Sequence, residues 1–382
     1  MPTNLRLATF NCENLFNRPK VFEVAESKSQ KILKDVAALE SELRRDPFDK
    51  AKIKSLLVKV KGFAKLNEVR AHLTNKDVKG PADFSGWVEL IRGNNTDAAV
   101  ENTARVIAEV NADVICLMEI EGRIELQKFH DEILFKTFLH PAGKAFYENI
   151  LLIDGNDDRG IDVAIMSRLP VLSLRTHINE PSGHIGNTNA TFSRDCLEVT
   201  IQLPNSKDLL VMVNHLKSKR PSPGDPQSNL RRENQAKRVA ELIDTHNLQT
   251  EFVVVAGDLN DTPDSQSLKP LLTKNGLFNV NQKLPVADRF TFRQPKEQFD
   301  YLLISDALKA KLTNVHVERR GMFAGNIPHF PPYGGFGSRS GGGRLCPLSS
   351  RFVYLPAIAG GTKKEAWAPF HLCWPEWAVL LS

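Results

Sequence analysis

No aspartate follows Asp306 in this chain of 382 residues, and after Glu318 the only acids are Glu365 and Glu376. The dipeptide Asp-His occurs nowhere. No stretch approaches the roughly 20 apolar residues of a membrane-spanning helix, so no membrane span is expected. The N-terminal MPTNLRLATF lacks the basic, apolar and small-residue succession of a secretory signal. Cysteine is scarce: five residues, at 12, 116, 196, 346 and 373, with no CxxC spacing. That pattern excludes a disulfide frame and a cysteine zinc site, and it predicts free thiols in the cytoplasm. Excess charge is small as well. A net +5 gives no indication of a nucleic-acid partner, though it permits an anionic substrate.

What is present is a chain with 41% hydrophobic and 25% charged residues, the balance of an ordinary globular protein. At this size a core needs no disulfide or metal to hold it. Short apolar runs recur, each ending in a polar cluster: LRLATFN (5–11), ADVICLMEIEG (112–122), GIDVAIMSRLPV (160–171), KDLLVMVNHLKSK (207–219), EFVVVAGDLNDTPDS (251–265) and QFDYLLIS (298–305). Helical patterns at 97–110, with Asp97 as N-cap, and at 229–246 lie between them. Strands interleaved with helices describe an α/β domain, with reactive side chains where strands end. Residues 26–75 differ. They are rich in Lys, Glu, Leu and Ala at helical spacing, and they predict two amphipathic helices broken near Asp46-Pro47. The basic run Lys50–Lys65 reads as a solvated helix face.

The polar residues at the strand ends come from distant segments: Asn11, Glu119, His215, Asp258 with Asn260, and Asp300. Glu119 and Asp258 are hard oxygen donors suited to Mg²⁺, Mn²⁺ or Ca²⁺. Asn11 can complete such a site or hold a phosphate oxygen. His215 can exchange a proton near neutral pH. A divalent cation with a histidine and carboxylates suits phosphoester hydrolysis.

TFNCENLF, ICLMEIEG, RGIDVAIMSRLPV, VNHLKSK, GDLNDTPDS and FDYLLIS, in that order, resemble the motifs of the endonuclease/exonuclease/phosphatase superfamily, the DNase I-like metal-dependent phosphoesterases. The resemblance implies a four-layer α/β sandwich of two packed mixed β-sheets flanked by helices. By similarity, Asn11, Glu119 and Asp258 lie at the metal site, with Glu119 the main ligand. His215 contacts the scissile phosphate, and Asp258 with Asn260 positions the attacking water. Asp300 orients a second histidine. Arg159 and Asp162 either support the phosphate or His215, or Asp162 is a structural acceptor. The implied substrate is a phosphoester, DNA or RNA among the choices.

The C-terminus departs from this pattern. The family closes with a Ser-Asp-His motif and a last strand, and the partner of Asp300 is not identifiable among His316, His329 and His371. Three of the four tryptophans fall in the last 16 residues and ten of the 23 glycines between Gly321 and Gly361. The expected division is therefore a phosphoesterase-like domain over 1–332, carrying a helical insertion at about 21–95, and a divergent or frameshifted tail over 333–382. That tail holds five basic and two acidic residues, so three of the five net charges lie outside the family-like part. Loss of the Asp-His member of the catalytic set is expected to weaken or abolish hydrolysis, and loss of the last strand to leave a sheet edge open. The alternative is an inactive homologue that binds nucleic acid or a phosphorylated ligand. Lys217, Lys219, Arg220, Arg231, Arg232, Lys237 and Arg238 would then supply contacts, and the 26–75 insertion could engage a protein partner.

Overall fold

The computed structural model describes residues 5–15, 19–24, 26–68, 86–91, 93, 97–157, 159–182, 190–204, 207–221, 224–292, 296–319 and 351–355. Strand β1 (Leu7–Leu15) opens the chain. An inserted unit follows, made of α1 (Glu26–Leu43), α2 (Lys50–Lys59), β2 (Ala64–Glu68) and β3 (Gly86–Leu90). Next come α3 (Asp97–Val110), β4 (Val114–Ile120) and α4 (Arg123–Lys128). Then β5 (Asn149–Leu152), β6 (Asp162–Ser167), β7 (Val171–Arg175), β8 (Cys196–Gln202) and β9 (Asp208–His215) lead to α5 (Asn229–Ile243). The described chain finishes with β10 (Phe252–Asp258), β11 (Leu277–Asn279), β12 (Asp300–Ser305), β13 (His316–Glu318) and β14 (Arg351–Leu355).

Two six-stranded mixed sheets carry the fold. Their orders are β13-β14-β1-β4-β6-β5 and β11-β12-β10-β9-β8-β7. The alternation of side chains along each strand decides the layering. Leu7, Val114, Cys116, Met118, Val163 and Ile165 of the first sheet meet Val199, Val211, Val213, Val254, Ala256 and Leu302 of the second in one core. The alternate residues Ala8, Phe10, Ile115, Leu117, Ala164 and Met166 pack outward against α3 and the helical segment 123–139. On the other side Leu210, Met212, Val253, Val255 and Leu303 pack against Ala236, Val239, Ala240 and Ile243 of α5. The result is the expected four-layer α/β sandwich. Among the described residues no helix is long and apolar enough to cross a membrane.

The inserted unit has a core of its own. Ile32, Val36, Leu39 and Leu43 form one stripe of α1, and Ile53 and Leu56 of α2, with Val60 at its end, pack in the same core. Asp49 Oδ1 caps α2 by accepting from the amides of Ala51 and Lys52 at 2.9 and 3.0 Å. The two helices fall where the sequence predicts them, but the helical reading does not extend to residue 75. Gly62 takes a φ of +83°, and Ala64–Glu68 pairs antiparallel with Gly86–Leu90. Residues 69–75 lie outside the described ones. The lysines of the 50–65 run are solvent-exposed, and their ion pairs include Lys52 with Glu42 at 2.8 Å, Lys65 with Glu89 at 3.2 Å and Lys59 with Asp35 at 3.8 Å.

A second correction concerns the edge of β1. Residues 351–355 lie antiparallel to β1, with Leu7 opposite Leu355 and Asn11 opposite Arg351. β13 pairs with their other side. Arg-Phe-Val-Tyr-Leu is a strongly β-forming run, and β1 has no open edge along Leu7–Asn11.

Candidate active site

Register places the site. In the second sheet β9 and β10 run parallel with His215 opposite Asp258, and β10 and β12 run antiparallel with Asp258 opposite Asp300. Three neighbouring strands thus set His215, Asp258 and Asp300 in one row at one end of the sheet, and all three are buried. In the first sheet Asn11 ends the regular part of β1, before its register against β4 shifts. Glu119 occupies a second shift, between Met118 and Ile120. There it adopts a φ of +64°. A positive φ in a non-glycine residue costs on the order of 1–3 kcal/mol and gathers at functional sites. Here the irregular residue re-aims a carboxylate out of the pleat.

The two sheet ends meet at Asn11. Its Nδ2 donates to Glu119 Oε1 at 3.3 Å and to Asp258 Oδ2 at 3.1 Å. Its Oδ1 accepts the Glu13 amide at 2.9 Å. Two carboxylates from different sheets therefore converge on one small polar atom. Mg²⁺ is commonly held by one or two carboxylates with waters completing the shell, so Glu119 and Asp258 fit a hard divalent cation. Asn11, with its oxygen engaged by Glu13, holds the pair together. Among the described residues no set of three His, Cys, Asp or Glu side chains gathers as a metal cluster. Cys12, beside the site, is buried, and burial followed by the Glu119 charge pushes its thiol well up.

Asn260, at a φ of +56°, closes the GDLN turn. Its amide donates to Asp258 Oδ1 at 2.8 Å and its Nδ2 to the Leu216 carbonyl at 2.9 Å. Arg194, 2% exposed, donates to the same carbonyl at 3.1 Å and pairs with Asp157 at 2.9 Å. Arg159 grips Asp157 with two nitrogens, each at 2.9 Å, and lies within electrostatic reach of Glu119.

Asp162 opens β6. It is buried and accepts the Gly155 amide at 2.7 Å. Burial first, then Asp154, Asp157 and Asp195, push its carboxyl up to about 6. The carboxylate thus ties Gly155 to the start of β6. Of the downstream histidines only His316 lies among the described residues. It faces Tyr354, three positions along β14 from the Asn11–Arg351 end, so it does not reach the site from that register. His329 and His371 lie outside the described residues.

Sequence reasoning missed Arg194 and Asp157, since a lone arginine before a strand reads as surface. It also misplaced Arg232, which is fully buried. The signal was available: Arg232 shares a helical face with Ala236, Val239 and Ile243. Its guanidinium donates to Asp261 at 3.0 and 2.8 Å and to the Lys217 carbonyl at 2.9 Å. Burial opposes charge on Asp261, but hydrogen bonds from Ser265 and Lys219 and the Arg232 guanidinium hold it down to about 2.

The sequence pattern of the Endonuclease/Exonuclease/phosphatase family matches residues 87–345. No curated protein sequence matches the chain. An endonuclease/exonuclease/phosphatase from Beutenbergia cavernae DSM 12333 is similar in structure at 18% identity and a TM-score of 0.46, over 70% of this chain and 68% of that one. An AP endonuclease from Archaeoglobus fulgidus is similar at 12% identity and a TM-score of 0.43, over 70% and 96%. The human Nocturnin catalytic domain is similar at 14% and 0.41, over 57% and 77%. The matched stretch covers most of the chain and takes in Glu119, His215, Asp258, Asn260 and Asp300, so the chain belongs to the Endonuclease/Exonuclease/phosphatase family of metal-dependent phosphoesterases.

Proposed function

We propose that this chain hydrolyses phosphodiesters with a divalent cation, Mg²⁺ first among Mg²⁺, Mn²⁺ and Ca²⁺, in the manner of a nuclease or related phosphodiesterase. The observation that carries the reading is the convergence of Glu119 and Asp258 on Asn11 where the two sheet ends meet. When bound, the cation would neutralise charge on the phosphoryl oxygens and the leaving oxygen. Glu119 and Asp258 would hold it, and Asn11 would fix their separation. His215, in the same row as Asp258, faces the phosphate and donates to its oxygens. Asp258, its Oδ1 fixed by the Asn260 amide, is placed to orient the attacking water and take its proton. Asn260 and Arg194 both anchor the Leu216 carbonyl, so the turn after His215 is set before substrate arrives, a form of preorganisation.

The test is a panel of bis(p-nitrophenyl) phosphate, DNA and RNA with each cation, using the full chain. Slow hydrolysis, in keeping with a sequence that has no Asp-His dipeptide, is expected with Mg²⁺ or Mn²⁺, to be lost with a chelator, and to fall further, to background, in Glu119→Gln. Undiminished turnover in that variant would refute the assignment.

A further inference from the structure

His177 is buried between two carboxylates, one at each ring nitrogen. Its Nδ1 meets Glu180, and its Nε2 meets Glu198 of β8 at 2.7 Å. A neutral imidazole has one N–H and a lone pair on its other nitrogen. In that form one of the two carboxylates would face a lone pair inside the protein. Only the imidazolium donates at both nitrogens, so the geometry calls for the charged ring. The surroundings agree in sign. Asp195, just before β8, accepts the His177 amide at 2.7 Å and the Thr176 hydroxyl at 2.8 Å. From α5, Arg238 grips both oxygens of Glu180, with Nη2 to Oε1 at 3.0 Å, and pairs with Glu241 at 3.2 Å. From β7, the exposed Arg175 stands opposite Glu198. Burial opposes charge on His177, but the hydrogen bonds to Glu198 and Glu180 outweigh it and hold the imidazolium above its usual range.

These contacts lie where they can act on the site. His177 and Glu180 belong to the connection from β7 to β8, and β8 starts with Cys196 opposite Asn214, the neighbour of His215. The described ends of that connection are tied to groups around the site. Asn156 Nδ2 donates to the carbonyls of Ile178 and Phe192 at 2.7 and 3.1 Å. Gln235 of α5 donates to the Thr191 carbonyl and Ser193 Oγ, both at 3.0 Å, and accepts the Lys217 amide at 2.8 Å. We infer that His177 is a pH-sensitive clasp: charged, it fastens the β7–β8 connection to β8 and α5 at the site end of the second sheet, and on losing its proton it lets go of one carboxylate and loosens that connection. The regulation this gives to the site rests on the phosphodiesterase reading, whereas the clasp itself does not. A charge favoured by folding adds stability that is complete below the unfolded value of about 6.5 and is lost as pH rises through the higher folded value.

The experiment is NMR on the full chain without substrate. Ring-nitrogen spectra of histidine-labelled protein follow His177, assigned by its absence in His177→Gln. At pH 7.5, where an unperturbed histidine is about nine-tenths neutral, both of its ring nitrogens are expected to carry protons. Glu198→Gln should return it mostly to the neutral form at that pH. Amide exchange, corrected for its intrinsic pH dependence, reads the fastening. The His177 amide, held by Asp195, and the Thr191 amide, held by the Glu180 carbonyl at 2.7 Å, are expected to lose about tenfold in protection as pH rises through the His177 midpoint. Val255 in β10 should not change. If His177→Gln fails to fold, the signal that Glu198→Gln displaces supplies the assignment. A His177 that is neutral at pH 7.5 overturns the clasp, and so does protection that stays level across its titration. Neither readout needs turnover, so a chain that never hydrolyses would sink the catalytic reading and leave the clasp standing.

Discussion

Gly257 carries a φ of +137°, and a β-carbon there would come within 1.8 Å of the Asn214 carbonyl oxygen. Strands β9 and β10 approach this closely just below His215 and Asp258, so the glycine lets both site residues stand in one row. Asp162 shows the opposite kind of constraint. Its folded pKa of about 6 lies above the unfolded value of about 3.9. The native state therefore holds the proton more tightly, and stability is lost as pH rises from about 4 through about 6. Asp162→Asn keeps an acceptor for Gly155 and removes the charge. The variant is expected to gain about 1–3 kcal/mol at pH 7.5 and almost nothing at pH 4, measured by urea unfolding. No gain at pH 7.5 would mean that the carboxylate is accommodated as an anion. At this scale the sequence was informative where an apolar run ended in a lone polar residue, as at Asn11, Glu119, His215 and Asp258. It was silent on Arg194 and Asp157, because their pairing joins two loops and leaves no periodic trace.

Among the elements, α1 and α2 were readable because Ile32, Val36, Leu39 and Leu43 repeat at helical spacing. β2 and β3 were not, since Ala-Lys-Leu-Asn-Glu carries little β preference and forms a strand only because Gly86–Leu90 pairs with it. β14 had the propensity but was obscured by the glycine-rich, acid-poor composition around it. The inserted unit keeps a core separate from those of the two sheets, which makes a local prediction possible. Leu39, fully buried in it, should cost about 2–5 kcal/mol on replacement by alanine. That loss should fall on the insertion alone. Hydrogen exchange is expected to rise in α1 and α2 and to stay unchanged in β9 and β10. Equal loosening of both would show that the insertion is braced by the sandwich.

For the whole molecule, the sheets differ in how they are assembled from the chain. The strands of the second all lie between Val171 and Ser305, whereas the first joins Leu7 to Leu355. Contacts of long sequence separation form late, because loop closure must be met before they are rewarded. Pulsed hydrogen exchange during refolding is expected to protect the amides of β8, β9 and β10 before those of β1. Simultaneous protection would argue for a single cooperative collapse. The pairing of β1 with residues 351–355 has a further consequence during synthesis. The flank of β1 that faces residues 351–355 stays bare until those residues have left the ribosome. A message cut short before codon 351 would release a chain that exposes an unpaired backbone edge, so this pairing separates copies that contain residues 351–355 from those that chaperones and proteases should remove.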